Sequence, residues 1–161
     1  MKNNMTSRKR STWRLPKLIV ISAALALPGA CARQGPLGDA GIMAFVATND
    51  AAKARAFYVD TLGLRFIEED DYALVVESAG TRIRVQKAKG YEPPQFTVLG
   101  WRVDDIEASA LRLSEAGVKL ERFEWMSMQD ERCIATFGNG DKVAWFKDPD
   151  GNTLSIAQLV R

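Results

Sequence analysis

Arg82, Arg84 and Gln86 occupy alternate positions of the strand-like run Thr81–Lys87, and Arg102 lies in a second such run, Val98–Val103. Side chains two apart on a strand share a face. Guanidinium forks grouped on one face bind a carboxylate, phosphate or sulfonate bidentately. Arg84 or Gln86 could also stabilise an oxyanion while a carboxylate such as Glu77 acts as base. Other chemistry is closed off, because none of the 161 residues is histidine. No Ser-His-Asp or Cys-His arrangement can form, and no Gly-rich phosphate loop is present. Cys133 then reads as a small apolar residue of the run Cys133–Phe137 rather than a nucleophile. The consecutive acids Glu68, Glu69, Asp70 and Asp71 would point to opposite faces of a strand, so they read as a solvated strand end and turn.

The elements that must position these residues come in two similar sets. Ile42–Ala47 is an apolar strand followed by the capping residues Thr48, Asn49 and Asp50. Ala54, Phe57, Tyr58 and Leu62 then fall at helical spacing, and Gly63 supplies a left-handed stop. Three strands are predicted at Arg65–Asp70, Tyr72–Ser78 and Thr81–Lys87, the last two joined at Ala79-Gly80. The order returns after the linker Ala88–Gln95. Val98–Val103 is a strand, Asp104 with Glu107 suggests a capping box, Ile106, Ala110 and Leu113 line a helix face, and Gly117 is the stop. Lys119–Trp125, Cys133–Phe137, Lys142–Phe146 and Thr153–Ala157 supply the remaining strands, with Met126–Arg132 as a loop. The offset of about 54 to 55 residues marks an internal duplication. The expected fold is α+β: two tandem βαβββ modules, about 41–88 and 96–158, forming a cupped mixed sheet around a central cavity with helices on the outer face.

Charge and the N-terminus bound the rest. The formal net charge is +2, but Lys2, Arg8, Lys9, Arg10, Arg14 and Lys17 concentrate the basic residues at one end. Without those six, 16 basic residues face 20 acidic ones, which leaves no electrostatic footprint for nucleic acid. The basic stretch precedes the apolar run Leu18–Leu27 and the small residues before Cys31, the order of an export signal. The run is shorter than the roughly 20 apolar residues of an ordinary transmembrane helix. Leu27–Cys31 resembles a lipoprotein signal that would lipidate Cys31, with Pro28 where Leu is usual, while Ala30-Cys31-Ala32 offers ordinary cleavage after Ala32. Residues 1–32 are therefore expected to be a signal, 33–40 a tether and 41–161 the domain, exported to the periplasm or lipid-anchored to the cell envelope.

From Gly41 to Gln158 the chain resembles the vicinal oxygen chelate superfamily, which includes glyoxalase I, extradiol dioxygenases and bleomycin-resistance proteins. Ala56-Phe57-Tyr58 with Leu62-Gly63-Leu64 is similar to the first-module signature, Val103–Glu107 to the second helix start, and Phe146–Leu154 (FKDPDGNTL) to the terminal turn. The resemblance implies metal ligands on the first and last strands of each module, here Met43, Gln86, Val98 and Ser155. Those residue types are poor divalent-metal ligands, so neither a metal nor another cofactor is expected, and the metal chemistry of glyoxalase I or the dioxygenases is argued against.

Anchored on those positions, alternation turns Met43, Phe45, Ala47, Arg82, Arg84, Gln86, Val98, Gly100, Arg102, Thr153, Ser155 and Ala157 inward. Their mostly apolar neighbours turn toward the helices. The expected ligand-binding residues are Met43, Phe45, Arg84, Gln86, Val98, Arg102 and Ser155, with Tyr72, Trp125 and Trp145 as aromatic walls of undetermined facing. Arg82 and Arg102 have an alternative role, reaching solvent or pairing with Glu77 or the acidic run. The implied function is metal-free binding of a small anionic or aromatic molecule. A metal-independent enzyme, lyase- or isomerase-like, and a purely structural role are the alternatives. The resemblance also implies a homodimer, for which the sequence shows no seam.

Overall fold

The computed structural model describes residues 35–160. The expected signal and Cys31 lie outside the described residues. A first unit ends at Gly38, where the Gly38 N–H donates to the Gly35 carbonyl at 3.1 Å. The second unit, Asp39–Arg161, carries both modules.

Strand β1 (Met43–Thr48) leads into α1 (Ala51–Arg55) because Asp50 is extended and its carboxylate accepts from the Ala52 and Lys53 N–H groups. The helix then widens into a π-helical segment, Ala56–Thr61, closed by the Leu62 N–H donating to the Phe57 carbonyl at 2.8 Å. Regular helical spacing did not anticipate this. The wider turn lets Phe57, Tyr58, Val59 and Leu62 all reach the core. Gly63, at φ 70°, ends the segment as expected. Strands β2 (Arg65–Glu69), β3 (Ala73–Ser78) and β4 (Thr81–Lys87) follow. Ala79 and Gly80, at φ 46° and 81°, form the two-residue hairpin between the last two. The second module repeats the plan with β5 (Thr97–Arg102), α2 (Ile106–Glu115), β6 (Ala135–Thr136), β7 (Lys142–Lys147) and β8 (Thr153–Gln158).

The sheets have orders β1-β4-β3-β2 and β5-β8-β7-β6, and in each the first strand runs parallel to the last. The fold is thus α+β with two βαβββ modules, as the sequence implies, its eight strands divided between two four-stranded sheets. Three local expectations change. Asp105, not Asp104, caps α2 and accepts from Ala108 N–H, which leaves Glu107 to bind Lys142. Lys119–Trp125 makes only an isolated bridge, Leu120 to Phe146, instead of a strand. Cys133 leaves the expected strand for a left-handed turn at φ 63°. The Asp130 carboxylate accepts from the Arg132 and Ile134 N–H groups at 2.9 Å, and such local side-chain bonds compete with a strand ladder.

The helix-bearing faces of both sheets share one core. Val46, Tyr58, Val76, Ile83 and Val85 of the first module meet Ile106, Ala110, Phe146, Leu154 and Ile156 of the second. Phe146 stacks on Trp101 with ring centroids 6.2 Å apart and lies 6.5 Å from the Phe57 ring. Trp101 Nε1 donates to Ser78 Oγ of the first module at 3.1 Å.

The turn Asp148–Asn152 latches the modules by polar contacts. The buried Asp148 carboxylate accepts from Tyr58 Oη at 2.8 Å, Asn152 Nδ2 at 2.7 Å, and the N–H groups of Asp150 and Asn152 at 3.0 and 2.9 Å. Asn152 Nδ2 also donates to the Ala47 carbonyl, and Asn152 Oδ1 accepts from Tyr91 Oη. Asp150 accepts from Thr48 Oγ1 and the Asn49 N–H. Burial, and then the neighbouring Asp148 charge, push the Tyr58 hydroxyl well above a tyrosine's ordinary value near 10. The folded state therefore holds this proton more tightly than the unfolded chain. The resulting stability is complete below about pH 10 and falls as pH rises beyond it. Urea unfolding midpoints should decline through this alkaline range, and Tyr58→Phe should flatten the decline; an equally steep decline in the variant would remove Tyr58 as its source.

Candidate functional site

The faces turned away from the shared core are the ones on which most of the expected site residues fall. Along β1 and β4, Met43 pairs with Arg82, Phe45 with Arg84 and Ala47 with Gln86, so these side chains share a face. Glu77 of β3 joins them opposite Arg82. Met43 and Phe45 are 46% and 55% exposed, while Val46 between the same strands is buried. The alternation therefore separates an open face from a packed one.

Charges on the open face are only partly spent. Glu77 binds Arg65 at 2.6 Å, so it is not Arg82's ion-pair partner. Arg84 lies 3.9 Å from Asp70. Asp70 accepts from the Tyr72 and Ala73 N–H groups, which hold its carboxyl below the usual range, and Arg84 adds to the effect. Glu69 is likewise lowered, first by its bond to Lys87. Glu69 and Asp70 of the acidic run are thus occupied in local contacts. Arg82 and Arg102 make no ion pair among the described residues.

In the second sheet Ser155 sits between Gly100 and Trp145, and Arg102 opposite Ala157. Val98 departs from its expected place. A bulge between Thr97 and Leu99 makes it the extra residue of β5, and it packs against the core, while Thr97 takes the place opposite Thr153. Met43, Phe45, Arg84 and Gln86 are thus brought onto one sheet face, and Arg102 and Ser155 belong to the other sheet. Tyr72 is exposed, and Trp145 pairs in register with Ser155.

Ser155 is only 8% exposed and sits beside Gly100 of the neighbouring strand β5. A Cβ on Gly100 would lie 2.6 Å from Ser155 Oγ. Gly100→Ala should cost about 1–3 kcal/mol by overpacking. Ser155→Ala in the same chain should recover most of that loss in thermal denaturation, and failure to recover would place the strain in the backbone.

The four positions where a metal would be held do not fit one. Met43 offers an exposed thioether, Gln86 an amide, Val98 an aliphatic group packed on the core, and Ser155 a hydroxyl beside Gly100. The Asp148 and Asp150 carboxylates are filled with hydrogen-bond donors. Among the described residues no group of three or more His, Cys, Asp or Glu side chains converges.

Residues 42–156 match the model of the Glyoxalase/Bleomycin resistance protein/Dioxygenase superfamily. The chain belongs to this superfamily. Among solved structures, a superfamily protein from Alicyclobacillus acidocaldarius is 13% identical with a TM-score of 0.60, the match covering 76% of this chain and 93% of that one. The lactoylglutathione lyase from Agrobacterium tumefaciens is 15% identical, with a TM-score of 0.57 and coverage of 74% and 93%. At these identities the likeness is one of fold. TnmS3, an antibiotic binding protein from Streptomyces sp. CB03234, is 25% identical with a TM-score of 0.53 and coverage of 74% and 95%. No curated protein matches this superfamily member.

Proposed function

We propose that this protein binds a small organic molecule without a metal and without turnover, outside the cytoplasm. The observation that carries the reading is the open face of the first sheet. It places exposed Met43 and Phe45 beside Arg82, Arg84 and Gln86, where the family positions supply no metal-binding donor. An apolar surface beside guanidinium groups suits an organic anion. Likeness to an antibiotic-binding protein supports a binding role over a catalytic one. On the second sheet the proposed surface is reached through exposed Arg102, Ser155 being only 8% exposed. Export rests on the N-terminal sequence, with lipidation at Cys31 or cleavage after Ala32, and no nucleic acid is involved. A homodimer, in which a second copy covers part of the open faces, completes the proposal.

Native mass spectrometry with elemental analysis, on protein purified without chelator, is the direct test. The expected result is a dimer mass, no stoichiometric metal, and a co-purified or added organic anion bound saturably, with Arg84→Gln weakening it. A stoichiometric metal, or turnover of the bound compound, would sink the reading.

A further inference from the structure

We propose that this chain has a second binding site, a cleft on the helix-bearing side that takes a straight-chain aliphatic carboxylate. The cleft has a volume of about 400 Å³, within the range of small-molecule sites. It opens where Thr61 and Leu62, at the end of the π-helical segment, meet the end of β5 and one side of α2, so both modules contribute to it. None of Met43, Phe45, Arg84, Gln86, Val98 or Ser155 lines it, and Arg102, at the last position of β5, is the one open-face residue that borders it. The assignment goes beyond the open-face reading and does not rest on it.

The floor is a part of the shared core left without a cover. Phe146 at its base is buried, but Leu62, Leu64, Trp101, Val103 and Leu113 pack against the core and stay only partly buried. Apolar surface that converges from both modules and still meets water is stabilised by whatever covers it. The hydroxyls and the indole N–H of the walls are engaged within the protein. Trp101 Nε1 donates to Ser78 Oγ at 3.1 Å, Thr61 Oγ1 to the Ala56 carbonyl at 3.2 Å, and Ser109 Oγ to the Asp105 carbonyl at 2.7 Å. Trp101 also spends a ring face on Phe146, so the uncovered lining is chiefly branched aliphatic, and methylene groups match it better than a stacked ring.

Charge selects the other end of the ligand. Arg102 and Arg112 are the charged residues of the lining, and no carboxylate belongs to it. Neither arginine forms an ion pair among the described residues. Arg112 Nη2 donates to Oγ of the buried Ser109 at 2.9 Å, which holds the guanidinium against the wall. That bond uses one of the five donors of the fork and leaves others for an anion. A fixed cation beside an uncovered aliphatic floor fits a molecule with a single carboxylate and a flexible hydrocarbon body.

Isothermal titration calorimetry of the full chain with octanoate, hexanoate and neutral 1-octanol tests the assignment. The expected result is saturable binding of octanoate, about tenfold tighter than hexanoate, which is two methylenes shorter. Octanoate should also bind about tenfold tighter than 1-octanol, and about tenfold weaker in Arg112→Gln, while keeping its affinity in Arg84→Gln. Arg112 is solvent-exposed, and an unchanged thermal midpoint would confirm that the variant is folded. Absence of saturable octanoate binding would overturn the proposal. Equal binding of hexanoate and octanoate would do so as well, because it would reduce the contact to a surface ion pair. So would 1-octanol binding as tightly as octanoate, or an unaltered affinity in Arg112→Gln, since either takes the guanidinium out of the contact. A loss in Arg84→Gln matching that in Arg112→Gln would move the ligand to the first sheet and overturn the cleft. Failure of the cleft would leave the open-face reading standing, since that reading is decided by metal content and by anion binding that depends on Arg84.

Discussion

Asp148→Ala is expected to destabilise the domain by about 3–5 kcal/mol, because four donors lose one charged acceptor and each unsatisfied buried donor costs about 1–3 kcal/mol before relaxation. The carboxylate collects four donors from three residues, and one of these, Tyr58, belongs to the other module. Alanine would leave the buried Tyr58 hydroxyl, one of the two Asn152 amide protons and two backbone N–H groups without their acceptor, while the other Asn152 amide proton keeps the Ala47 carbonyl. Asp148→Asn is the sharper variant because it keeps the shape. Its amide oxygen can still accept from the Asp150 and Asn152 N–H groups. Its NH₂ would then face the Asn152 amide donor against donor, while the Tyr58 hydroxyl oxygen can turn to accept from it, at a cost of about 1–3 kcal/mol. Tyr58→Phe should cost less, about 1–2 kcal/mol, since the carboxylate keeps three donors. Urea denaturation read by far-UV circular dichroism gives all three values. An Asp148→Ala midpoint within error of the parent would mean that the turn only closes a hairpin and does not bind the modules together.

The second large effect is expected at Phe146. Its truncation to alanine should cost about 3–5 kcal/mol, as for a fully buried aromatic ring. The ring is 1% exposed and stands between Trp101 of its own module and Phe57 of the other. A cavity there would not be confined to one sheet, because both helix-bearing faces contribute to the same cluster. A double-mutant cycle with Phe57→Leu should therefore show a coupling of about 0.5–1.5 kcal/mol. Strict additivity of the two substitutions would argue that each module keeps its own core. With Asp148 it makes a polar and an apolar clamp on opposite ends of one short segment, Phe146–Asp148.

Much of this architecture is legible in the linear sequence, and the legible parts are those governed by neighbours a few positions apart. Alternation in Thr81–Lys87 puts Arg82, Arg84 and Gln86 on one face because a strand repeats every two residues. Gly63 and Gly117 mark helix ends because both take the left-handed conformation that other residues resist. The same local rule fails where one inserted residue resets the count. The bulge at Val98 is such a case, and the π-helical segment after Arg55 is another. Cys133 leaves the strand pattern for a related reason: the Asp130 side chain supplies the backbone with hydrogen bonds that a strand pattern does not reveal.

For the candidate site the division is similar. Residue type singles out Trp125 and Trp145 as candidate aromatic walls without fixing their facing, and it does not single out Phe96 or Phe123. What joins the four is a linker, a loop and a strand brought to one place, held by Thr97 and Gln129. By itself the sequence determined the tandem module order, the open-face arginines and the lack of suitable ligands at the four metal positions, because each follows from residue type and short period. Only the tertiary structure decided that the two helix-bearing faces share one core, that Asp148 binds Tyr58 across 90 positions of chain, and that the aromatic residues form a cleft. Those outcomes depend on burial and on hydrogen bonds between distant segments, which no local period encodes.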